Sequence, residues 1–246
     1  MNVVDSLLVN SANDLAKTQF NNMPLNESMN FLLVWFPFNA LPKPLLAFCF
    51  NLVKSNLYNL YIDAQDTGWS DRGKMKELSD VNGRYVIAFR RPNEPSKFIS
   101  HVDYIPLESD SPLGFLYYVC CMEDSYDDVD GGMNGDGKAP VIYWYAILLL
   151  LYVYDLIPNA YLNSMELQLT PEARNTGLGT TLMQIQEQTG KLLSLRKSML
   201  TVFKKNEGAM RFYKRLGYTP DNISPSMCMS EKRAGRYSYE IMKKDL

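Results

Sequence analysis

Glu166-Leu167-Gln168-Leu169-Thr170-Pro171-Glu172-Ala173-Arg174-Asn175-Thr176-Gly177-Leu178-Gly179 is the stretch on which the reading of this chain turns. Leu167-Gln168-Leu169 ends a strand, and Gly177 opens a helix that runs to Leu195. Between them lies Arg174-Asn175-Thr176-Gly177-Leu178-Gly179. Glycines here let the backbone approach an anion, because no Cβ intervenes. The helix start offers unpaired N–H groups and the positive end of a dipole, which suits a pyrophosphate. Arg174 adds charge-assisted donors. On its own, G-x-G after a strand suits a plain tight turn equally well.

Downstream, Met199–Phe203 is a strand, Gly208–Leu216 a helix, and Tyr237–Met242 a last strand. Upstream, residues 2–20 and 50–63 carry apolar residues at helical spacing, and Ser70–Ser79 is a short polar helix with a Ser or Asp cap. Arg84–Phe89 is rich in strand formers, a turn follows at Arg91-Pro92-Asn93, and Lys97–Tyr104 is a candidate partner strand. Strands alternating with helices imply a sheet with helices packed on it.

The 246 residues suit one domain with an appendage. With a net charge of -2, the basic footprint of a nucleic-acid binder is not expected. None of the four cysteines forms a C-x-x-C pair, which argues against a zinc site or a disulfide framework and for a reducing compartment. The N-terminus lacks the basic region of a secretory signal. In Phe31–Val53 the prolines at 37, 42 and 44 would break a helix, and Val141–Tyr154 is shorter than the roughly 20 residues of a membrane span. Residues 123–137 are acidic and glycine-rich but fail the calcium-loop spacing, so they read as a solvated loop. His101 follows Ser100, but no third catalytic member and no G-x-S-x-G accompany them, so it reads as structural.

The loop matches Arg-x-x-Gly-x-Gly, the acetyl-CoA signature of the GNAT family. Leu200-Thr201-Val202-Phe203-Lys204-Lys205-Asn206-Glu207-Gly208-Ala209-Met210-Arg211-Phe212-Tyr213-Lys214-Arg215-Leu216-Gly217-Tyr218 resembles the second GNAT signature. That run, with Ser224-Pro225-Ser226 and Ser238-Tyr239-Glu240-Ile241, is similar to NatD enzymes in particular. Ser55-Asn56-Leu57-Tyr58, Gly68-Trp69-Ser70-Asp71-Arg72 and Tyr85-Val86-Ile87-Ala88 extend the likeness upstream.

The resemblance implies an α+β, three-layer GNAT fold: a mixed, mostly antiparallel sheet with flanking helices and an N-terminal helical extension. Residues 1–49 would be that extension with an apolar linker, and 50–246 the acetyltransferase domain. It implies transfer of acetyl from acetyl-CoA to the α-amine of histone tails beginning Ser-Gly-Arg, in nucleus and cytoplasm, with no metal, no direct nucleic-acid contact and no membrane. Leu167, Gln168 and Leu169 would lend groups to the pantetheine arm, Arg174, Asn175, Thr176, Gly177, Leu178 and Gly179 would hold the pyrophosphate, and Asn206 would touch the cofactor beyond the thioester. Glu166, with Tyr145 beside it, would be catalytic, and Tyr213 would protonate the departing thiolate or simply pack near the cofactor. Tyr143, Thr201 and Tyr239 would contact the tail, and Tyr61 matches a further such tyrosine after a one-residue shift.

The chemistry asks little of the protein. An α-amine has a pKa of about 7.7–8.0, so roughly a tenth or more of it is already neutral at pH 7, and a base need only take the proton during attack. The likeness breaks between Tyr143-Trp144-Tyr145 and Glu166, which NatD joins and residues 146–165 separate here. Tyr152-Val153-Tyr154 imitates the lost partner, leaving Tyr145 or Tyr154 to stand beside Glu166. Residues 105–121 also look inserted. A GNAT enzyme for another amine, or an impaired isoform that only binds acetyl-CoA, are the competing readings.

Overall fold

The computed structural model describes residues 20, 31–90, 111–122, 160–193 and 195–246. In chain order the elements are β1 (Phe31–Pro37), α1 (Lys43–Asp63), α2 (Asp71–Glu77), β2 (Arg84–Arg90), β3 (Pro112–Met122), β4 (Ala160–Leu169), α3 (Leu178–Leu192), β5 (Lys197–Phe203), α4 (Glu207–Arg215), β6 (Thr219–Pro220), α5 (Pro225–Cys228), α6 (Glu231–Ala234) and β7 (Tyr239–Asp245). They form a seven-stranded sheet in the order β1-β2-β3-β4-β5-β7-β6. Every pairing is antiparallel except β4 with β5.

Period-two alternation assigns the sheet's two faces. Leu33, Val86, Ala88, Leu116, Tyr118 and Cys120 point to the side covered by Leu178, Leu182 and Ile185 of α3. Leu32, Val34, Tyr85, Ile87, Phe89, Phe115, Tyr117 and Val119 point to the side covered by Leu45, Cys49, Leu52 and Val53 of α1. A third cluster seats Tyr213 of α4 on Leu200, Val202 and Met242. The result is helix, sheet, helix, the expected three layers.

Three expectations change. Residues 31–49 are not a linker: β1 pairs with β2 along its whole length, and α1 begins at Lys43 rather than near 50. Pro42 is the N-cap and Pro44 falls in the first turn, where the missing N–H costs nothing, so these prolines start the helix instead of breaking it. Residues 112–121, within the stretch 105–121 that looks inserted, form most of β3, bonded to β2 and β4. Their unbroken apolar run follows from burial on both faces. The expected helix at 2–19, the candidate strand at 97–104, the acidic loop, His101 and residues 141–154 lie outside the described residues. Among the described residues no helix is long and apolar enough to cross a membrane, and no group of side chains suits a metal ion.

Candidate active site

Strand β4 creates the site by two departures from regular pairing. Opposite β3, Tyr117 faces Glu166 and Tyr118 faces Ser164, so Met165 is an extra residue. Such a bulge re-aims side chains. Met165 consequently packs into the α1-side cluster, the same side as Glu166 opposite Tyr117, which strict alternation would forbid. On the other edge, β4 and β5 pair only from Tyr161↔Lys197 to Ser164↔Leu200. Beyond that point β4 stays with β3 to Leu169 and β5 stays with β7 to Phe203, so the sheet splits into a wedge.

One side of the wedge is a groove of about 810 Å³ lined by Leu167, Leu169, Arg174, Gly177, Gly179 and Asn206, among others. Asn175 and Gly177 both adopt positive φ, 61° and 89°, to turn the chain into α3. Gly177 is the N-cap, and a side chain there would be strained. Gly179 sits in close quarters: a Cβ would lie 3.3 Å from Phe212 and 3.4 Å from Leu169, so those side chains would have to give by a few tenths of an ångström. The side chain of Leu178 is fully buried, so this residue can offer the groove only backbone. Thr176 Oγ1 donates to the Ala173 carbonyl and weakly accepts from the Leu178 N–H at 3.4 Å. The N–H groups of the first turn have no intrahelical acceptor, the condition an anion fills. Arg174, Lys205 and Arg215 supply positive charge along the groove. Asn206 caps α4 by accepting from the Ala209 N–H at 3.2 Å.

On the other side lies a cavity of about 340 Å³ with Glu166, Tyr61, Thr201, Tyr213 and Tyr239 on its walls. The groove and the cavity share Leu57, Leu167, Gln168, Asn206, Ala209 and Tyr213. Tyr61 is wedged edge-on between Trp69, 5.4 Å away, and Phe203, 4.8 Å away. The Trp69 indole N–H donates to Asp71, which also pairs with Lys54 at 2.7 Å, so the Gly68–Arg72 segment braces that ring. Tyr239 is held by its neighbour: Glu240 accepts from Ser224 at 2.5 Å and Ser226 at 2.6 Å and pairs with Lys204 at 3.2 Å. Burial disfavours the Glu240 charge, but these three partners outweigh it and hold the carboxyl below its ordinary range.

Glu166 is buried, and each of its oxygens has a partner. Its Oε1 accepts from Lys74 Nζ at 3.0 Å and its Oε2 from Gln168 Nε2 at 2.8 Å. Burial pushes its carboxyl up, against the pull of Lys74 and Gln168. Lys74 Nζ also donates to Tyr61 Oη at 3.0 Å and to both Glu77 oxygens at 2.9 Å. Burial opposes its charge, but the carboxylates of Glu166 and Glu77 prevail and keep it protonated above the usual lysine range. Lys74 occupies a lone pair of Tyr61, and burial raises the phenol, so Tyr61 keeps its own O–H to donate. Burial, followed by the charge of Glu166, raises the Tyr213 phenol, so it stays protonated at neutral pH.

The structure thus brings Glu166, Tyr61, Thr201, Tyr213 and Tyr239 to one cavity and Leu167, Leu169, Arg174, Asn175, Gly177, Gly179 and Asn206 to the adjoining groove. Tyr143, Tyr145 and Tyr154 lie outside the described residues. The position next to Glu166 belongs to Met165, and Ala160–Met165 fill the strand where the resemblance put a tyrosine pair. Lys74, Glu77 and Asn56 were not anticipated; as charged or polar residues of helices with solvated faces they carried no local signal.

A strand bulge, a parallel pair that splays, and a glycine-turned helix start beneath the opening now stand together. Residues 157–218 match the family model described as the acetyltransferase (GNAT) family, about a quarter of the chain. The chain has the GNAT acetyltransferase fold. Solved structures with which it aligns include Arabidopsis thaliana NAA60 in complex with a bisubstrate analogue, at 11% identity over 87% of this chain and 99% of that one, with a TM-score of 0.46. Another is PaiA N-acetyltransferase from Thermoplasma acidophilum in complex with coenzyme A, at 14% identity over 89% and 100%, with a TM-score of 0.46. A third is Ard1 from Thermoplasma volcanium, at 10% identity over 89% and 99%, with a TM-score of 0.47.

Proposed function

We propose that this chain transfers the acetyl group of acetyl-CoA to the N-terminal α-amine of a protein, and that its acceptor is a histone tail beginning Ser-Gly-Arg. The observation that carries the first part is the junction of groove and cavity at Leu167, Gln168, Asn206, Ala209 and Tyr213, with the helix start at one end and Glu166 at the other. The acceptor identity rests on the NatD resemblance.

Acetyl-CoA supplies an acyl carbonyl activated as a thioester. The groove residues hold its phosphates on the first turn of α3 and on Arg174. Glu166 takes the proton that the amine sheds on attack. A carboxylate has about four lone-pair sites, and Lys74 and Gln168 use one each, leaving room for an acceptor N–H. Tyr213, kept protonated by burial, returns a proton to the leaving sulfur. Tyr61, whose oxygen already accepts from Lys74, donates to an acceptor oxygen and is unsuited as a base.

A second reading has one observation in its favour. Met165 stands beside Glu166 where the family has a tyrosine, so the cavity wall differs just where the tail would lie. That reading is a chain that binds acetyl-CoA without turning over this peptide. Mass spectrometry of a Ser-Gly-Arg peptide incubated with the chain and acetyl-CoA decides. A gain of one acetyl, absent with an N-terminally blocked peptide and slowed by Glu166→Gln, supports the proposal. Acetylation of small amines alone defeats the tail assignment.

A further inference from the structure

Arg174, in the phosphate loop, and Glu166, in the acceptor cavity, are ends of one hydrogen-bonded chain. Arg174 Nη2 donates to Asn56 Oδ1 at 2.7 Å. Asn56 Nδ2 donates to Gln168 Oε1 at 2.9 Å and to the Leu169 carbonyl at 3.2 Å. Gln168 Nε2 donates to Glu166 Oε2 at 2.8 Å, and Lys74 closes the other carboxylate oxygen at 3.0 Å. The direction of this chain is dictated by its ends. A guanidinium can only donate and a carboxylate can only accept, so both amides between them must point the same way.

We infer that Asn56 is a positioning residue that couples the cofactor groove to the acceptor carboxylate. The inference rests on the acetyl-CoA reading of the groove. Asn56 sits on α1 and is the link that joins β4 to the loop; without it Gln168 and Arg174 share no partner in this set of contacts. An ionised Glu166 fixes the Gln168 amide, which fixes the Asn56 amide with its oxygen toward Arg174. The guanidinium is thereby held at the groove with its remaining N–H groups available to a phosphate. Hydrogen bonds aligned in this manner polarise one another, so each end senses the other. Replacing Glu166 by an amide, which can donate or accept, removes the constraint that orders the chain.

The test is calorimetric titration of coenzyme A into the full chain, its Glu166→Gln and Asn56→Ala variants, and the double variant. Glu166→Gln should weaken coenzyme A binding roughly fivefold when Asn56 is present and by less than about twofold when it is not, the signature of a coupled pair. Asn56→Asp is the second probe. It keeps the acceptor for Arg174 and loses the donor to Gln168, so the coupling should vanish there too; a uniform change from the added charge cancels in the ratio. An equal effect of Glu166→Gln in all backgrounds, including no effect, overturns the coupling while leaving the groove assignment intact. Failure of the unaltered chain to bind coenzyme A overturns the groove assignment and this inference with it.

Discussion

Replacing Lys74 by Met keeps the length of the side chain and removes its charge. Lys74 and Glu166 have side chains only 6% and 5% exposed, whereas that of Glu77 is 32% exposed. Stripping one partner from a buried pair costs about 3–5 kcal/mol, because the other charge is left uncompensated. Glu77 can rehydrate, and Glu166 can escape by taking up a proton. The cost should therefore fall near the low end, about 3 kcal/mol at neutral pH. For a chain of this size that lowers Tm by about 6–12 °C.

The pH dependence identifies the cause. Burial already raises the Glu166 carboxyl, and losing Lys74 raises it further. In the variant the folded chain holds a proton that the unfolded chain releases above about pH 4.3. The contribution of that group is complete below this value and is lost as pH rises through the folded pKa. The deficit relative to the native chain should thus be small near pH 4 and grow toward neutrality. A protonated Glu166 cannot accept the amine proton, so acetylation at pH 7 should fall by about a hundredfold and recover partly as pH is raised. The assay is thermal melting together with a pH profile of kcat/KM. Adding Glu166→Gln to Lys74→Met should restore much of the stability and none of the activity. If the double variant melts no higher than Lys74→Met alone, an uncompensated carboxylate is not the cause and the reasoning fails.

Tyr213→Phe removes the buried phenol proton; kcat should drop about tenfold or more with little change in KM for acetyl-CoA, and an unchanged kcat would strip Tyr213 of its acid role. Gly177→Ala places a Cβ at φ 89°, which should cost about 1–2 kcal/mol in chemical denaturation and loosen coenzyme A; a neutral result would mean that the loop can relax. Ser224→Ala leaves Glu240 without its shortest donor and should destabilise the chain by about 1–2 kcal/mol at pH 7. Because the Glu240 carboxyl is depressed in the folded chain, its contribution exists above about pH 4.3 and is lost as pH falls through the folded value, so the Ser224→Ala penalty should shrink in acid.

The C-terminal half of the fold was legible because each of its elements has a local cause. Gly177 must turn the chain at positive φ, and Asn206 must cap α4. The N-terminal half was misjudged where a local signal has two tertiary outcomes. Pro44 is a breaker inside a helix and a starter in its first turn, and only the onset of α1 at Lys43 tells which. Phe115 to Cys120 is an apolar string with no alternation of its own, and only the packing on both faces explains it as a strand buried on two sides.

The site shows the same division more sharply. Its cofactor side is built largely from backbone, and backbone requirements leave a mark in sequence: a glycine where φ is positive, a glycine where Phe212 comes close, an arginine at the loop entrance. Its acceptor side is built from side chains that meet across long separations, Lys74 with Glu166 and Asn56 with Gln168, and a lysine in a short polar helix looks the same whether it faces water or a buried carboxylate. The bulge at Met165 belongs to neither kind. It needs no special residue, yet it turns Met165 and Glu166 to one side of the sheet and starts the splay from β5 a single position after Ser164. A one-residue change in the length of β4 between Glu166 and Leu169, whose end is fixed opposite Gly114, would swing the carboxylate to the opposite face, the side of Leu182 and Ile185. The distance between the bulge and the phosphate loop, more than any individual side chain, is therefore what the chemistry demands of this strand.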